Sequence, residues 1–230
     1  MLKIGVLLSG CGVYDGAEIQ EAVLTLLEID RMGAEAVCIG IDAAQHHVLN
    51  HLNGAEMTET RNMLVEAARI ARGNIKAIQE IVPADLDALV IPGGFGSAKN
   101  LTSWAFDGPN SSIRSDVKLL LVNLVNIGKP IVALCVSPIV LAKAFEGSMI
   151  QPKMTIGSKN GASPYSISDF EEGLTKTGAM AVDLPLGEVL IDEENRLITA
   201  PCYMMEARIS EIHQNIQAAF SALKTMIDAE

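Results

Sequence analysis

Short apolar runs alternate with longer segments of helical periodicity along almost the whole chain. Four short runs are almost entirely apolar, which is typical of strands that a parallel sheet buries on both faces. They lie at 4–8, 36–41, 87–91 and 130–134. Helices are predicted at about 15–32, 58–72, 112–127, 138–145 and 204–227, and a hairpin at 189–191 and 197–199. The alternation predicts a single α/β domain over 1–230, with a doubly wound, mostly parallel sheet sandwiched between helices.

The loops that follow the predicted strands are where this architecture places a ligand. In doubly wound sheets, ligands bind in the crevice at the carboxyl ends of the strands. Three such loops lie at 9–16, 92–100 and 135–138. We therefore expect the functional residues in these three loops and in the helices that they introduce.

The composition narrows the class of protein. About half of the residues are apolar (49%), which excludes disorder, and the net charge of −11 disfavours nucleic acid because phosphates would be repelled. No run of roughly 18 uncharged apolar residues is present. The apolar run at 4–8 is too short for a secretory signal, and no cleavage site follows it. We therefore predict a soluble protein with no membrane partner.

The cysteines and histidines give no metal-site spacing. The four cysteines, at 11, 38, 135 and 202, form no CxxC pair, so neither a disulfide framework nor a zinc site is expected, and a reducing cytoplasm is the natural setting. His47 and His51 are four residues apart, but the asparagines around them make a regular helix doubtful. We predict no metal and no cofactor.

Cys135 lies where the fourth apolar run meets a helix. Pro138 suits the first turn of a helix, and Ser137 is a plausible cap. The positive end of the helix would favour a thiolate and lower the cysteine pKa, as in a nucleophile elbow. The spacing alone allows an alternative, in which Cys135 is a buried structural cysteine at the end of a strand.

A glycine-rich turn follows the third apolar run, at Pro92-Gly93-Gly94-Phe95-Gly96. The glycine pair allows a tight turn and a close approach of the backbone to a ligand. Its N–H groups, together with that of Val136, could receive an oxyanion. The turn is a weak signal when it is taken by itself.

Several segments together give the chain a specific resemblance. They are SGCGVYDG at 9–16, TETRN at 58–62, PGGFG at 92–96, AKNL at 98–101 and APCYM at 200–204. With them the chain resembles the ElbB-type branch of the ThiJ/PfpI superfamily, nearly from end to end. The resemblance implies the flavodoxin-like, class I glutamine-amidotransferase-like fold, a family-specific insertion at about 42–75, and a homodimer.

The superfamily pairs its elbow cysteine with a glutamate at the start of the first helix. The resemblance implies that Glu21 contacts Cys135, with Glu18 as the alternative. A carboxyl there would have a raised pKa and could donate a proton to the thiolate. Periodicity alone gives a different picture. Glu18 would serve as the acid of a capping box at 15–18, and Glu21 would be solvated, because it lies off the apolar stripe of Ile19, Val23, Leu26 and Leu27.

The chain departs from its relatives at the histidine that often follows the elbow helix. The stretch 154–158 contains none, and 199–203 has neither the histidine nor the glutamate that glutamine amidotransferases need. His213 comes too late, within a helical pattern. Glutaminase and protease chemistry both need a base for the cysteine and for the leaving amine, so both are disfavoured.

The resemblance implies glyoxalase chemistry that needs neither a cofactor nor glutathione. Methylglyoxal or glyoxal would form a hemithioacetal with Cys135 and leave as the hydroxy acid, weakly because the histidine is missing. Cys11, Arg61 and Asn62 are candidate substrate contacts. Two alternatives remain: a redox-sensing or accessory protein, associated with isoprenoid biosynthesis, whose Cys135 oxidises, and a binding module that has lost the chemistry.

Overall fold

The computed structural model describes residues 1–229, and its centre is a seven-stranded sheet. The strands of this sheet are β1 (Lys3–Leu7), β2 (Glu35–Gly40), β3 (Lys76–Ala77), β4 (Ala88–Ile91), β5 (Ile131–Leu134), β8 (Leu190–Asp192) and β9 (Leu197–Ala200). Their order is β3-β2-β1-β4-β5-β9-β8, and β8–β9 is the antiparallel pair. The short strands β6 (Lys153–Met154) and β7 (Met180–Ala181) pair separately.

Helices flank this sheet, as expected for strands that are buried on both faces. They are α1 (Ile19–Arg31), α2 (Met63–Ile70), α3 (Trp104–Asp107), α4 (Ser115–Asn126), α5 (Pro138–Phe145), α6 (Ile167–Lys176) and α7 (Ile209–Asp228). All residues of β4 and β5 are buried, and so are all eight of α5. The predicted doubly wound α/β fold is confirmed. None of the helices within 1–229 combines the length and the apolar character needed to cross a bilayer.

Several helix starts differ from the prediction because other residues cap them. Helix α1 is capped by Glu18 rather than Asp15, and α2 starts after Asn62 rather than at 58, since the Asn62 Oδ1 accepts the N–H groups of Leu64 and Val65. Helix α4 begins at 115 rather than 112, and α7 begins later than 204, because a 3₁₀ turn at Cys202–Met204 precedes it. The elements β6, α6 and β7 were not predicted.

The predicted insertion at 42–75 folds over the carboxyl end of the sheet. Asn100, which follows the glycine turn, accepts the His46 N–H at 2.9 Å and donates to the carbonyls of Ser9 and Asp15 at 2.9 and 2.8 Å. Asp15 in turn accepts the Leu49 N–H at 2.7 Å. These bonds tie the insertion to the first loop and to the glycine turn, so the edge that carries the candidate site is held by three chain segments.

Candidate functional site

Cys135 occupies a strained elbow between β5 and α5. Its φ is +59°, in the left-handed region that costs energy for a residue with a Cβ. Its N–H donates to the Ala200 carbonyl at 2.9 Å, and the Ser137 N–H closes the turn on Leu134 at 3.0 Å. The surrounding ladder thus fixes a conformation that the chain would otherwise avoid. This is the geometry of a nucleophile elbow.

Ser137 does not cap α5 through its side chain, contrary to the prediction. Its hydroxyl donates to the Pro92 carbonyl at 2.7 Å and lies 2.8 Å from the Ser97 hydroxyl. Both bonds are buried. The predicted cap instead fastens the cysteine elbow to the glycine turn after β4, so that the two turns keep a fixed relation to each other.

Glu21 faces Cys135 from the first turn of α1 and is fully buried. Its Oε2 accepts the Gly93 N–H at 2.8 Å, its Oε1 accepts the Tyr203 N–H at 3.1 Å, and the carboxyl lies beside the Cys135 thiol. The solvated position that periodicity favours is therefore wrong. The apolar residues Ile19, Val23 and Leu27 are the exposed ones, because α1 turns its glutamate toward the cysteine.

Glu18 supports Glu21 rather than replacing it. Its Oε2 accepts the N–H of Glu21 at 2.6 Å, which makes it the helix cap and not the third residue of a capping box. Burial raises the pKa of Glu18. Burial, and next the charge of Glu18, raise the pKa of Glu21 to about 8. The two carboxyls therefore have different environments, and only that of Glu21 lies beside the thiol.

The pKa of the Cys135 thiol is raised, which corrects the lowered value expected at a helix start. Burial raises it well above its ordinary range and the charge of Glu21 adds to this, while the N–H groups of Val136 and Gly94 lower it. Desolvation thus outweighs the helix terminus. Because the pKa of Glu21 is about 8 and that of Cys135 is raised well above its ordinary range, the carboxyl loses its proton before the thiol does.

Gly93 and Gly94 have separate reasons to be glycine. A Cβ at Gly93 would lie 2.4 Å from the Cys135 Cβ and 2.5 Å from the Glu21 Oε2. Gly94 has a φ of +100°, and a Cβ there would meet the Glu18 N–H nitrogen at 2.4 Å. The sequence predicts the Gly93 N–H as an oxyanion donor, but in the structure this N–H is bonded to Glu21. The N–H groups of Gly94 and Val136 face the sulfur instead.

A small aromatic cavity opens over the cysteine. Its volume is about 20 Å³, which is room for roughly one or two water-sized molecules. The Phe95 and Tyr165 rings meet edge to face, with centroids 5.7 Å apart. The lining residues are Val13, Glu18, Gly94, Phe95, Cys135, Val136, Tyr165, Phe170, Tyr203 and Met204. In this conformation the cavity admits only the smallest substrates.

The sequence left the aromatic walls of this cavity unassigned. Tyr203 stands in the APCYM segment and so had a signal, but Tyr165 and Phe170 lie in a stretch with no predicted element. Cys202 also lies near Cys135. The charge of Cys202 raises the pKa of the Cys135 thiol, and the backbone N–H of Cys135 lowers the pKa of the Cys202 thiol. The register of β5 and β9, which the sequence did not specify, brings these two cysteines together.

Three predicted contact residues do not line the cavity. Asn62 caps α2 and donates to Asp42 at 2.8 Å, and Arg61 pairs with Glu59 and Glu66. These bonds occupy both side chains, so the substrate role expected for them is not supported by their positions. Cys11 lies half-buried in the first loop, where burial and then Glu66 raise the pKa of its thiol.

The histidines of the insertion make packing contacts. His51 stacks on Tyr14 with ring centroids 4.8 Å apart, and His46 and His47 pack on the Phe106 ring. Within residues 1–229, no three histidine, cysteine, aspartate or glutamate side chains are grouped so that they could hold a metal ion.

Comparison with curated proteins shows relatives over almost the whole chain. Over 220 residues the chain is 37% identical to glutamine amidotransferase-like class 1 domain-containing protein 3, mitochondrial, of Homo sapiens, covering 94% of this chain and 80% of the human protein. It is 36% identical to the ES1 protein homolog, mitochondrial, of Rattus norvegicus over the same length. No family model matches the chain.

Solved structures share the fold. An isoprenoid biosynthesis protein with an amidotransferase-like domain from Ehrlichia chaffeensis superposes with a TM-score of 0.88 at 35% identity, covering 98% of this chain and 99% of that one. Glyoxalase III of Candida albicans gives 0.57 at 17% identity, covering 99% and 97%, which shows a common fold alone.

The strained cysteine elbow, the buried glutamate and the parallel sheet define a protein of the ThiJ/PfpI class, with the glutamine-amidotransferase-like fold. Within that class the relatives are specific. The chain belongs to the ElbB-type family, which includes the glutamine amidotransferase-like class 1 and ES1 proteins.

Proposed function

We propose that the protein is a glyoxalase-type enzyme that converts glyoxal or methylglyoxal into the hydroxy acid without cofactor or glutathione. The observation that carries the proposal is the buried contact between Glu21 and Cys135, with the N–H groups of Gly94 and Val136 facing the sulfur. It brings together a nucleophile, a buried group that can carry a proton and two donors for an oxyanion at the carboxyl end of the sheet.

The reaction begins with addition of the thiol to the aldehyde. Glu21 takes the thiol proton while the sulfur bonds to the carbonyl carbon, and the new oxyanion accepts the N–H groups of Gly94 and Val136 before it is protonated. The product is a hemithioacetal. A carboxyl with a pKa of about 8 suits this step, because it gains and loses a proton easily near neutral pH.

An internal proton shift and a hydrolysis complete the reaction. Glu21 removes the hydrogen from the carbon bonded to sulfur and returns it to the neighbouring carbonyl carbon, by way of an enediol. The hemithioacetal becomes a thioester of the 2-hydroxy acid. Water then adds to the thioester carbon, the carbon–sulfur bond breaks, and the thiol is restored. The sum is one dicarbonyl and one water for one hydroxy acid.

The cavity sets the range of substrates. Room for one or two water-sized molecules is less than either dicarbonyl needs, so the cavity must widen on binding, and it favours glyoxal, with two carbons, over methylglyoxal and bulkier dicarbonyls. Within the described residues no histidine lines this cavity, and we assign the proton transfers to Glu21 because its carboxyl lies against the Cys135 thiol. We therefore expect slow turnover.

Product analysis tests the proposal. The purified protein is incubated at pH 8 with glyoxal or methylglyoxal, and glycolate or lactate is measured by NMR, with a known glyoxalase as positive control. We expect the hydroxy acid from the wild type and none from Cys135→Ala or Glu21→Gln. The matched control is Glu28→Gln, which changes a buried glutamate of the same helix. Wild-type protein that yields no hydroxy acid while the positive control does so would refute the proposal.

We also propose that the protein is a homodimer. Ile19, Val23 and Leu27 form an exposed apolar row on α1, beside the two site glutamates, and such a row is stabilised by a partner surface.

We further propose that the protein works in a reducing compartment such as the cytoplasm. This proposal is supported by the cysteines at 11, 38, 135 and 202, which are all free thiols. The human and rat relatives are named mitochondrial, so imaging of the tagged chain decides between the compartments.

A further inference from the structure

Two buried thiols lie at the carboxyl ends of neighbouring parallel strands. Cys135 follows β5 and Cys202 follows β9, and the strands are in register at Leu134 and Ala200. The ladder continues past the strand end, since the Cys135 N–H donates to the Ala200 carbonyl at 2.9 Å. The two cysteines therefore leave the sheet side by side.

Both cysteines have a positive φ, +59° at Cys135 and +44° at Cys202. The backbone N–H of Cys135 lies close enough to the Cys202 sulfur to lower the pKa of that thiol, and the Cys202 charge raises the pKa of Cys135. By the register of β5 with β9, Cys135 lies opposite Pro201, one residue before Cys202. A strand spacing of about 4.8 Å combined with one residue's rise of roughly 3.3 Å gives a diagonal inside the Cα separation of roughly 4.4–6.8 Å that a disulfide spans.

We propose that Cys202 is a resolving thiol for Cys135, so that a small hydroperoxide converts the pair into a Cys135–Cys202 disulfide. This activity is separate from the proposed dicarbonyl conversion, although both use Cys135. The cavity over Cys135 has room for a molecule little larger than water, which suits hydrogen peroxide better than a bulky oxidant.

The two steps balance. Cys135 sulfur attacks one oxygen of hydrogen peroxide while Glu21 accepts the thiol proton; the oxygen–oxygen bond breaks, the leaving hydroxide takes that proton from Glu21 and departs as water, and Cys135 becomes a sulfenic acid. Cys202 sulfur then attacks the Cys135 sulfur. The sulfur–oxygen bond breaks, a second water leaves with the Cys202 proton, and the disulfide forms. The protein has lost two hydrogens, and a dithiol reductant restores it.

The other cysteines are less suited to this role. Cys38 lies on β2, and burial raises the pKa of its thiol to about 11. Cys11 lies in the first loop, after β1, and neither residue lies on or directly after a strand that pairs with β5. Cys202 is fully buried, so solvent thiols reach it less readily than Cys135 does. Condensation inside the protein would then compete with further oxidation of Cys135.

The test is a titration of the full chain with hydrogen peroxide, followed by blocking of free thiols and peptide mass spectrometry. We expect a cross-linked pair of peptides carrying Cys135 and Cys202, reversed by dithiothreitol. In Cys202→Ala we expect sulfinic acid at Cys135, and in Cys38→Ala the same disulfide as in the wild type.

Three results would overturn the proposal: sulfinic acid at Cys135 with Cys202 still reduced in the wild type, a disulfide that involves Cys11 or Cys38, or no oxidation of Cys135 at peroxide levels that oxidise a free cysteine. The wild-type peptide map decides the matter even if Cys202→Ala does not fold. Because the peroxide titration makes no use of dicarbonyls, its outcome is independent of the assay for the hydroxy acid product.

Discussion

The Oε2 atom of Glu21 accepts the backbone N–H of Gly93 at 2.8 Å, across a sequence separation of 72 residues. This bond anchors α1 to the glycine turn that follows β4. It also holds the carboxyl where a Cβ on residue 93 would stand. Because Gly93 has no side chain, the Glu21 carboxyl has room to lie buried against it.

The alkylation of Cys135 will depend on Glu21. In the wild type we expect the rate to rise only above the ordinary pH range of a thiol, because burial and the charge of Glu21 both raise the Cys135 pKa. In Glu21→Gln that charge is gone, so the rise moves to lower pH. Iodoacetamide labelling, followed by mass spectrometry of the Cys135 peptide, measures both profiles. Glu28→Gln is the control and should match the wild type.

The stability of the wild type should fall as the pH rises from about 5 to 8. The pKa of Glu21 is about 8 in the folded protein and 4.5 in its ordinary setting, so the folded state holds its proton more tightly over this interval. The linkage slope is about 1.4 kcal/mol per pH unit for one group. Urea unfolding at several pH values should show a shallower slope in Glu21→Gln. Equal slopes would contradict a protonated Glu21.

Gly93→Ala should disrupt the site, although it leaves the acid, Glu21, and the nucleophile, Cys135, chemically unchanged. The added Cβ would lie 2.4 Å from the Cys135 Cβ, and it would displace either that residue or Glu21. We expect Cys135 alkylation to lose its dependence on Glu21, and the hydroxy acid product to disappear. At Gly161 an added Cβ meets only the flexible end of Met205, so Gly161→Ala is the control. Unchanged activity in Gly93→Ala would be inconsistent with this geometry.

Asn100→Asp should destabilise the protein more than Asn100→Ala does. The Nδ2 of Asn100 donates to the carbonyls of Ser9 and Asp15, and an aspartate would point a charged oxygen at both. The alanine loses the bonds without adding a charge. We expect a loss of roughly 2–4 kcal/mol for the aspartate by thermal or urea unfolding. An aspartate variant as stable as the wild type would show that the first loop and the glycine turn are held together in another way.

A charge on the exposed row of α1 should separate the proposed dimer. Val23→Glu places a carboxylate among Ile19 and Leu27, which would be costly if a partner covers them. We expect light scattering after size exclusion to show a dimer for the wild type and a monomer for the variant. Leu119→Glu, on an exposed apolar position of α4, is the matched control. A monomeric wild type would end the proposal.

The fold was predictable because its signals are local. The apolar runs that form β1, β4 and β5 are short and continuous. Helix α5 has the predicted bounds, and its start is marked by Pro138. The stretch after α5 gave no such signal. Its strands β6 and β7 are two residues each, which is too short for an alternation to be recognised.

The site was only partly predictable from the residues. Cys135 could be found from the strand-to-helix junction, but periodicity placed Glu21 in solvent, and only family resemblance placed it beside the cysteine. Hydrophobic patterns assume that the apolar face of a helix is the buried one. On α1 the acid is buried and Val23 is exposed. The partner Cys202 depends on the pairing of β5 with β9, a contact between distant segments that local patterns do not encode.

The ring pair of Phe95 and Tyr165 above the cysteine has a kinetic consequence. A cavity with room for one or two water-sized molecules must widen before either dicarbonyl enters, and methylglyoxal needs the wider opening because of its extra methyl group. Entry then sets the pace for methylglyoxal more than for glyoxal. A deuterium label on the aldehyde carbon would therefore slow glyoxal conversion visibly, while with methylglyoxal the isotope effect would be hidden behind the opening of the cavity.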